Sequence, residues 1–346
     1  MVLYLHIGTE KTGTTSVQNF FAAHREVLQK HGILYPRSVG RENHRALAVL
    51  AQNRTRTALW EKLGIRDTGE FVRFRQEVEV SLADELAAGG APKIIMSNEH
   101  CSSRLRSDAE VEALRRFLAQ FFDEIYVVVY LRRQDDFVVS TYSTEVRLGD
   151  TEPLAFPKDK VISSRYDYWE LLSRWARVFG RDRVICRKFE QSGLVAGNVI
   201  DDVLRATGIG SIPGCDTNLS RNVSLDAECL EFLRLMNRHA DPSWKTRRFI
   251  EALEASSTGP MLELPDDLRL ALMQRLRDSN ARVAREYFGG ELCDSDDPLF
   301  KPRSDNRPRV QDGRLDAGKA VALAAKLFSA AERLADNPRR KRKRQS

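Results

Sequence analysis

A short loop with two glycines follows the first predicted strand directly and precedes the first predicted helix. Residues 2–7 are rich in strand-forming types, and residues 8–15 read Gly-Thr-Glu-Lys-Thr-Gly-Thr-Thr. Residues 15–29 then carry apolar side chains at helical spacing. Glycine lets the backbone curl close to a ligand, and both the loop amides and the helix N-terminus point positive dipoles inward. The sequence therefore predicts an anion-binding loop at the head of an α/β domain.

The spacing in this loop is close to the ATP-binding pattern G-x-x-x-x-G-K-[ST], with one residue displaced. Gly8 and Gly13 have the right separation and Thr15 occupies the hydroxyl position, but Thr14 stands where that pattern has lysine. The lysine is Lys11, inside the loop. A lysine after the second glycine wraps the β- and γ-phosphates of ATP, whereas one inside the loop would approach the bridging oxygen of a shorter phosphate–sulfate anion. The alternatives are a degenerate ATPase loop and an ordinary turn with a solvated lysine.

Predicted strands and helices alternate along the first two thirds of the chain. Short apolar runs predict strands at 93–97, 125–131 and 184–187. Helical spacing predicts helices at about 71–88, 111–122, 134–148, 166–179 and 195–207, and only helices beyond 220, including an alanine-rich one at 316–335. This order predicts a parallel β-sheet flanked by helices. We expect an α/β domain over 1–240, a helical C-terminal extension packed on it over 241–336, and a disordered basic tail over 337–346.

Charge and cysteine content narrow the class of protein. The net charge is +6, and residues 339–344 alone supply six positive charges, so the body of the chain is near neutral and is no basic nucleic-acid surface. The five cysteines are scattered and form no C-x-x-C pair, which predicts a reducing compartment, no disulfide framework and no protein-held metal. No apolar run approaches the roughly 20 residues that span a bilayer. The N-terminus lacks the features of a secretory signal, so the sequence predicts a cytoplasmic location.

A second candidate phosphate position follows the strongest predicted strand, 125–131, which ends in Arg132-Arg133. Ligands of α/β sheets bind at the carboxyl ends of strands, and a planar guanidinium suits a phosphate. Ser140 comes eight residues after Arg132, two turns into the next predicted helix, where its hydroxyl can add a donor. The two residues together predict a site for a second phosphate.

Together the two motifs resemble the sulfotransferase family that uses 3′-phosphoadenosine 5′-phosphosulfate (PAPS). The resemblance covers about residues 2–240. The matching residues are Lys11, Thr12, Gly13, Thr14, Thr15 and Ser16 in the loop, with Arg132 and Ser140 after the later strand. It implies a P-loop-like nucleotide-binding fold in which the loop holds the 5′-phosphosulfate and the arginine–serine pair holds the 3′-phosphate. It also implies PAPS as the donor and no metal cofactor.

The resemblance further implies the catalytic groups. Lys11 is the candidate that relieves charge on the leaving phosphate. Glu99 and His100 follow the strand predicted at 93–97, a region where family members place a glutamate or histidine base. Adjacent residues of an extended segment point to opposite sides, so we expect only one of them to face the donor. The Ser-x-Glu pattern favours Glu99, and a helix-capping or ion-pairing role is its alternative.

Three weaker candidates complete the predicted site. Arg221, beside Asn222, could reach the 3′-phosphate from a late loop, although the family's glycine-rich late motif with a lysine is absent. His44 is predicted as a surface histidine in a polar loop, with substrate contact as the alternative. His6 is predicted as a buried strand residue.

The sequence therefore predicts an enzyme that transfers a sulfuryl group from PAPS to a hydroxyl or amine and releases adenosine 3′,5′-bisphosphate. No pattern names the acceptor, so carbohydrate, lipid head group, small natural product and protein stay open. One alternative is a Mg²⁺-dependent kinase or NTPase, in which Glu99 would be the carboxylate that holds Mg²⁺ at a strand end. The other is a non-catalytic protein whose basic tail binds nucleic acid or another anionic surface.

Overall fold

The computed structural model describes residues 1–55, 57–217, 224–241, 246–290, 297–301 and 308–336, and side chains up to residue 329. The predictions for Arg221, for Asn222 and for the basic tail at 337–346 concern residues outside these ranges, as does Cys293. The four described cysteines are not disulfide-bonded. None of the described helices is long and apolar enough to cross a membrane.

The chain divides into two compact units built from interleaved segments. The first comprises Met1–Arg133, Lys158–Ser220 and Leu276–Pro302, and the second comprises Gln134–Pro157, Arg221–Arg275 and Arg303–Ser346. This division differs from the predicted boundary near residue 240. The difference arises because the helix that follows Arg133 packs with helices beyond residue 225.

A five-stranded, wholly parallel sheet forms the centre of the first unit. Its strands are β1 (Val2–His6), β2 (Ile33–Leu34), β3 (Lys93–Ser97), β4 (Glu124–Leu131) and β5 (Val184–Lys188). They lie in the order β2-β3-β1-β4-β5. The predicted α/β class with a parallel sheet flanked by helices is confirmed. The sequence did not predict β2, because two residues are too short a run to show strand alternation.

Helices account for most of the remaining secondary structure in both units. In chain order they are α1 (Thr14–Ala23), α2 (Arg25–Lys30), α3 (Arg45–Ala51), α4 (Ala58–Lys62), α5 (Thr68–Gly89), α6 (His100–Arg104), α7 (Asp108–Leu118), α8 (Gln134–Leu148), α9 (Asp159–Val161), α10 (Tyr168–Phe179), α11 (Val199–Ala206), α12 (Ala227–His239), α13 (Arg247–Ser256), α14 (Asp266–Tyr287) and α15 (Ala317–Asp336). The helix predicted at 15–29 is wrong in extent, because α1 ends before His24 and α2 begins after it.

The core of the first unit explains why the helices pack on the sheet as they do. Buried apolar side chains of α1, α2 and α11 cover one face of β3 and β4. The side chains of a strand alternate between the two faces of its sheet. The helix α10 contacts β4 and β5, and α7 packs on α10. Such burial stabilises the fold by about 25 cal/mol per Å² of apolar surface removed from water. The candidate site lies at the carboxyl ends of these packed strands.

The order of the strands brings three chain segments to one edge. β1 is the central strand, with β3 on one side and β4 on the other. The backbone N–H of Asn98, after β3, donates to the His6 carbonyl at 2.9 Å, and that of Thr9, after β1, donates to the Tyr130 carbonyl at 3.0 Å. The segments that follow β1, β3 and β4 therefore lie side by side at the carboxyl ends of the strands.

The second unit is mainly helical. Its core joins α8, α12, α13 and α15, and includes Val146, Leu230, Leu253 and Leu327. The prediction of helices alone beyond residue 220 is wrong in one detail, since β6 (Met261–Leu262) and β7 (Arg309–Val310) pair in parallel. Each of these strands has only two residues, so the sequence offered no periodic signal for them.

Candidate active site

The loop between β1 and α1 is fixed to the sheet by its own threonines. Thr9 donates both its backbone N–H and its side-chain hydroxyl to the Tyr130 carbonyl, at 3.0 and 2.9 Å. The Thr12 hydroxyl, which is fully buried, donates to the Thr9 carbonyl at 2.7 Å. Lys11 has a φ of 64°, in the left-handed region that few side chains adopt. These hydrogen bonds hold the loop against the end of β4.

Two glycines let this loop pack closely against its neighbours. Gly13 has a φ of 74°, and a Cβ there would lie 2.9 Å from Val199 Cγ1 at the start of α11. Gly8 has a φ of 97°, and a Cβ there would lie 3.1 Å from the Cβ of Glu99. A larger residue at either position would push the loop away. The closeness of Gly8 and Glu99 also places the candidate base directly beside this loop.

Lys11 and Arg132 meet at the loop. Arg132 Nη1 donates to the Lys11 carbonyl at 2.9 Å, which joins the end of β4 to the middle of the loop. Lys11 is half-buried, and its pKa is lowered, first by burial and also by the charges of Arg165 and Arg132, while Glu10 and Glu99 oppose the shift. The two cations thus lie within electrostatic range of each other, where a bound anion would relieve their repulsion.

Glu99 is held by neutral amides. Gln18 Nε2 donates to Glu99 Oε2 at 2.7 Å, and Asn43 Nδ2 lies 3.0 Å from both carboxylate oxygens. Gln18 Nε2 also lies 3.3 Å from Ser97 Oγ, which is 2.8 Å from His6 Nδ1. None of these hydrogen-bond partners is a cation. The amide network on α1 and before α3 therefore orients the candidate base.

His100 has a different partner from Glu99. Its Nδ1 lies 3.9 Å from Glu10 Oε1, and Arg165 Nη2 lies 3.4 Å from Glu10 Oε2. Burial alone would raise the pKa of Glu10, but the contacts with His100, Arg165 and Ser103 outweigh it and lower that pKa to about 2. Glu10 is therefore a permanently ionised loop carboxylate whose charge is compensated by its neighbours.

Glu99 and His100 do not lie on an extended segment, so the prediction that they point to opposite sides is wrong in its premise. Glu99 has φ −68° and ψ −20°, and α6 begins at His100, so the segment is helical. The two side chains nevertheless have separate partners, because successive residues of a helix are turned by about 100° from each other. Glu99 contacts Gln18 and Asn43, whereas His100 contacts the loop through Glu10.

The remaining predicted loop residues lie around the start of α1. Gly13 is the residue before the helix, Thr14 is its buried first residue, Thr15 is exposed and Ser16 is half-buried. Ser140 lies on α8, in the second unit, so its pairing with Arg132 stays a prediction. Arg221 is outside the described residues.

The prediction for His44 as a surface residue is wrong. His44 is fully buried, its Nδ1 accepts from the Ser97 backbone N–H at 3.1 Å, and its ring packs on Tyr35 at 4.1 Å. Burial lowers the pKa of His44 to about 3. His6 is buried as predicted, and burial lowers its pKa to about 4. Burial therefore favours the neutral form of both rings.

Several residues of this site were missed by reasoning from the sequence. Gln18 and Asn43 reach Glu99 from segments 81 and 56 residues away along the chain. Arg165 comes from Ile162–Tyr166, a turn of π-helix. Only Glu10 carried a local signal, as an acidic residue inside the predicted anion-binding loop. In the described part of the chain, no group of three or more His, Cys, Asp or Glu residues could hold a metal ion.

The fold and the site define an α/β protein with a glycine-containing loop, the candidate anion-binding loop, at the carboxyl edge of a parallel sheet. No family model matches the chain. A protein of Archaeoglobus fulgidus described as uncharacterized is 28% identical over 209 residues, which cover 58% of this chain and 56% of that relative. The match thus spans little more than half the relative's length. The crystal structure of a sulfotransferase from Alicyclobacillus acidocaldarius is similar with a TM-score of 0.45 and 16% identity, over 82% of this chain and 94% of that one.

Proposed function

We propose that this chain is a sulfotransferase that moves the sulfuryl group of PAPS to a hydroxyl or amine of an acceptor. The observation that carries the proposal is the meeting of three strand ends at one loop. Arg132, after β4, bonds to the carbonyl of Lys11, and Glu99, after β3, packs against Gly8. This puts a lysine, an arginine and a carboxylate around a glycine-containing anion loop, which is the set of groups that sulfuryl transfer needs.

The donor side of the proposed reaction rests on Lys11, Arg132 and the loop. The loop amides and the N-terminus of α1 would bind the 5′-phosphosulfate, and Arg132, with Ser140 as the predicted second donor, would bind the 3′-phosphate. When the bridging S–O bond breaks, both bonding electrons stay on the phosphate oxygen. The Lys11 ammonium would stabilise that developing charge, which requires it to be protonated in the complex. A bound anion supplies this condition, because it raises the pKa of a neighbouring cation.

The acceptor side rests on Glu99. As the acceptor oxygen or nitrogen forms its bond to sulfur, it loses a proton, and the Glu99 carboxylate accepts that proton. Gln18 and Asn43 would keep both carboxylate oxygens in place. General-base catalysis of this kind contributes typically about 10²–10⁴-fold to the rate.

The experiment that tests the proposal is calorimetric titration of the full chain with adenosine 3′,5′-bisphosphate in EDTA. We expect saturable binding, weakened by at least about tenfold in Lys11→Ala, since a charged hydrogen bond contributes about 1.5–3 kcal/mol. Lys30→Ala is the matched control, because Lys30 is exposed on α2 and its replacement removes the same charge elsewhere. Tighter binding of ATP than of the bisphosphate, and only with Mg²⁺, would instead support the kinase or NTPase alternative.

A further inference from the structure

Four arginines of the first unit have no part in the reaction proposed above. We call Arg54, Arg104, Arg106 and Arg165 the arginine cluster, and all four belong to the first unit. Arg165 is ion-paired with Glu10 at 3.4 Å. Among the described residues, no carboxylate lies within ion-pairing distance of the other three side chains. The cluster therefore carries more positive charge than its acidic neighbours compensate.

The members of the cluster lie on neighbouring segments, because Glu110 accepts from the backbone N–H of Arg106 at 2.8 Å and from that of Asn53, the residue before Arg54, at 3.4 Å. They also act on one another electrostatically. The pKa of Arg106 is lowered, first by burial and then by the charges of Arg104, Arg165 and Arg54, whereas Glu10 raises it. Glu110 is close in sequence, but its Oε2 accepts from the backbone N–H of Arg106 and from both the backbone and the hydroxyl of Ser107. Gathering like charges costs free energy that a bound anion would recover.

The position of the cluster connects it to the acceptor side of the site. Arg104 ends α6, which begins one residue after Glu99, so their backbones are about 7.5 Å apart along a helix. Arg165 contacts Glu10, the residue before Lys11. One small molecule could therefore place an anionic group at these guanidinium groups and its reacting hydroxyl or amine at Glu99. Guanidinium forks match the oxygens of carboxylate, sulfate and phosphate groups.

We infer that the arginine cluster is an anion subsite, and that the acceptor carries a carboxylate, sulfate or phosphate group besides its reacting hydroxyl or amine. The assignment of this anion to an acceptor rests on the proposed function, whereas the subsite itself does not. The cluster would hold the anionic group and so orient the reacting atom toward Glu99. A neutral acceptor would leave the repulsion among the guanidinium groups unrelieved.

The test uses the full chain with its arginine side chains labelled with ¹⁵N and the donor site saturated with the bisphosphate. Inorganic sulfate is titrated in at constant ionic strength, maintained with chloride, and the Nε–Hε signals are followed by NMR. We expect saturable shifts, and about a tenfold or greater loss of sulfate affinity in the double variant R104Q/R106Q. The double variant R115Q/R116Q should bind sulfate normally, because it removes equal charge from exposed positions on α7.

A single variant distinguishes a loss of sulfate binding from a loss of folding. Arg106 Nε donates to the Ser103 carbonyl at 3.1 Å, whereas the Arg104 side chain is exposed, so R104Q alone should fold normally and still bind sulfate more weakly. Non-saturable shifts, or equal losses in the two double variants, would refute the subsite. Sulfate titrated without the bisphosphate separates the two proposals. A chain that binds sulfate through Arg104 but never binds the bisphosphate keeps the subsite and refutes the sulfotransferase.

Discussion

Two carboxylates lie at the loop, and their partners distinguish their roles. Glu10 faces Arg165 and His100, and its pKa of about 2 means that it stays ionised at every physiological pH. Glu99 accepts hydrogen bonds from the neutral amides of Gln18 and Asn43. A general base must be able to take a proton, which a carboxylate held by a permanent cation resists. The difference in partners favours Glu99 over Glu10 as the base.

For these residues we predict that Glu99→Gln lowers turnover by about 10²–10⁴-fold and leaves bisphosphate affinity nearly unchanged, since glutamine keeps the shape but accepts no proton. Steady-state rates with an acceptor and calorimetry with the bisphosphate are the two measurements. His100→Gln should have a milder effect, because His100 contacts Glu10 and not the amide network. A fully active Glu99→Gln chain beside an inactive His100→Gln chain would reverse the two assignments.

Among the elements, the junction between β4 and the loop carries the nucleotide prediction. Arg132 both follows β4 and donates to the Lys11 carbonyl, so its removal affects the loop as well as the proposed 3′-phosphate position. We expect Arg132→Ala to weaken the binding of the bisphosphate by about 1.5–3 kcal/mol or more. The binding of 5′-AMP should weaken by clearly less, because AMP has no 3′-phosphate. Calorimetry with both ligands measures the difference. Equal losses would mean that Arg132 acts only through the shape of the loop.

The elements also show what the sequence could reveal. β1, the loop and α1 follow one another directly, so local pattern was enough to predict their presence, although not where α1 ends, and β4 was evident as an unbroken apolar run. The meeting of Glu99, Lys11 and Arg132 follows from β3, β1 and β4 being parallel neighbours. Gln18, Asn43 and Arg165 could not be predicted, because their contacts are set by packing between distant segments. His44 was misplaced for the same reason, since a polar sequence context does not report burial by Tyr35.

For the chain as a whole, buried ionisable groups of the first unit make stability depend on pH. Burial lowers the pKa of His6 to about 4 and that of His44 to about 3, from 6.5. As the pH falls below 6.5 the unfolded chain binds these protons and the folded chain does not, so the stabilisation they contribute is lost toward pH 4 and pH 3. The stabilisation that the ionised Glu10 contributes is also lost, between pH 4.5 and about 2, because its pKa in the folded chain is lowered as well.

We therefore predict that the urea-unfolding free energy of the full chain, followed by the fluorescence of the buried Trp60 and Trp175, falls steadily below pH 6.5. For His44 a shift from 6.5 to about 3 corresponds to an upper limit of roughly 4–5 kcal/mol. His44→Asn should flatten this dependence, because the asparagine oxygen can accept from the Ser97 N–H as Nδ1 does and does not titrate. It should also lower stability at neutral pH through lost packing on Tyr35.

His31→Gln, at an exposed position of the same unit, is the control and should keep the slope of the parent chain. An unchanged slope in His44→Asn would show that folding does not lower the pKa of His44, which would contradict the effect of its burial.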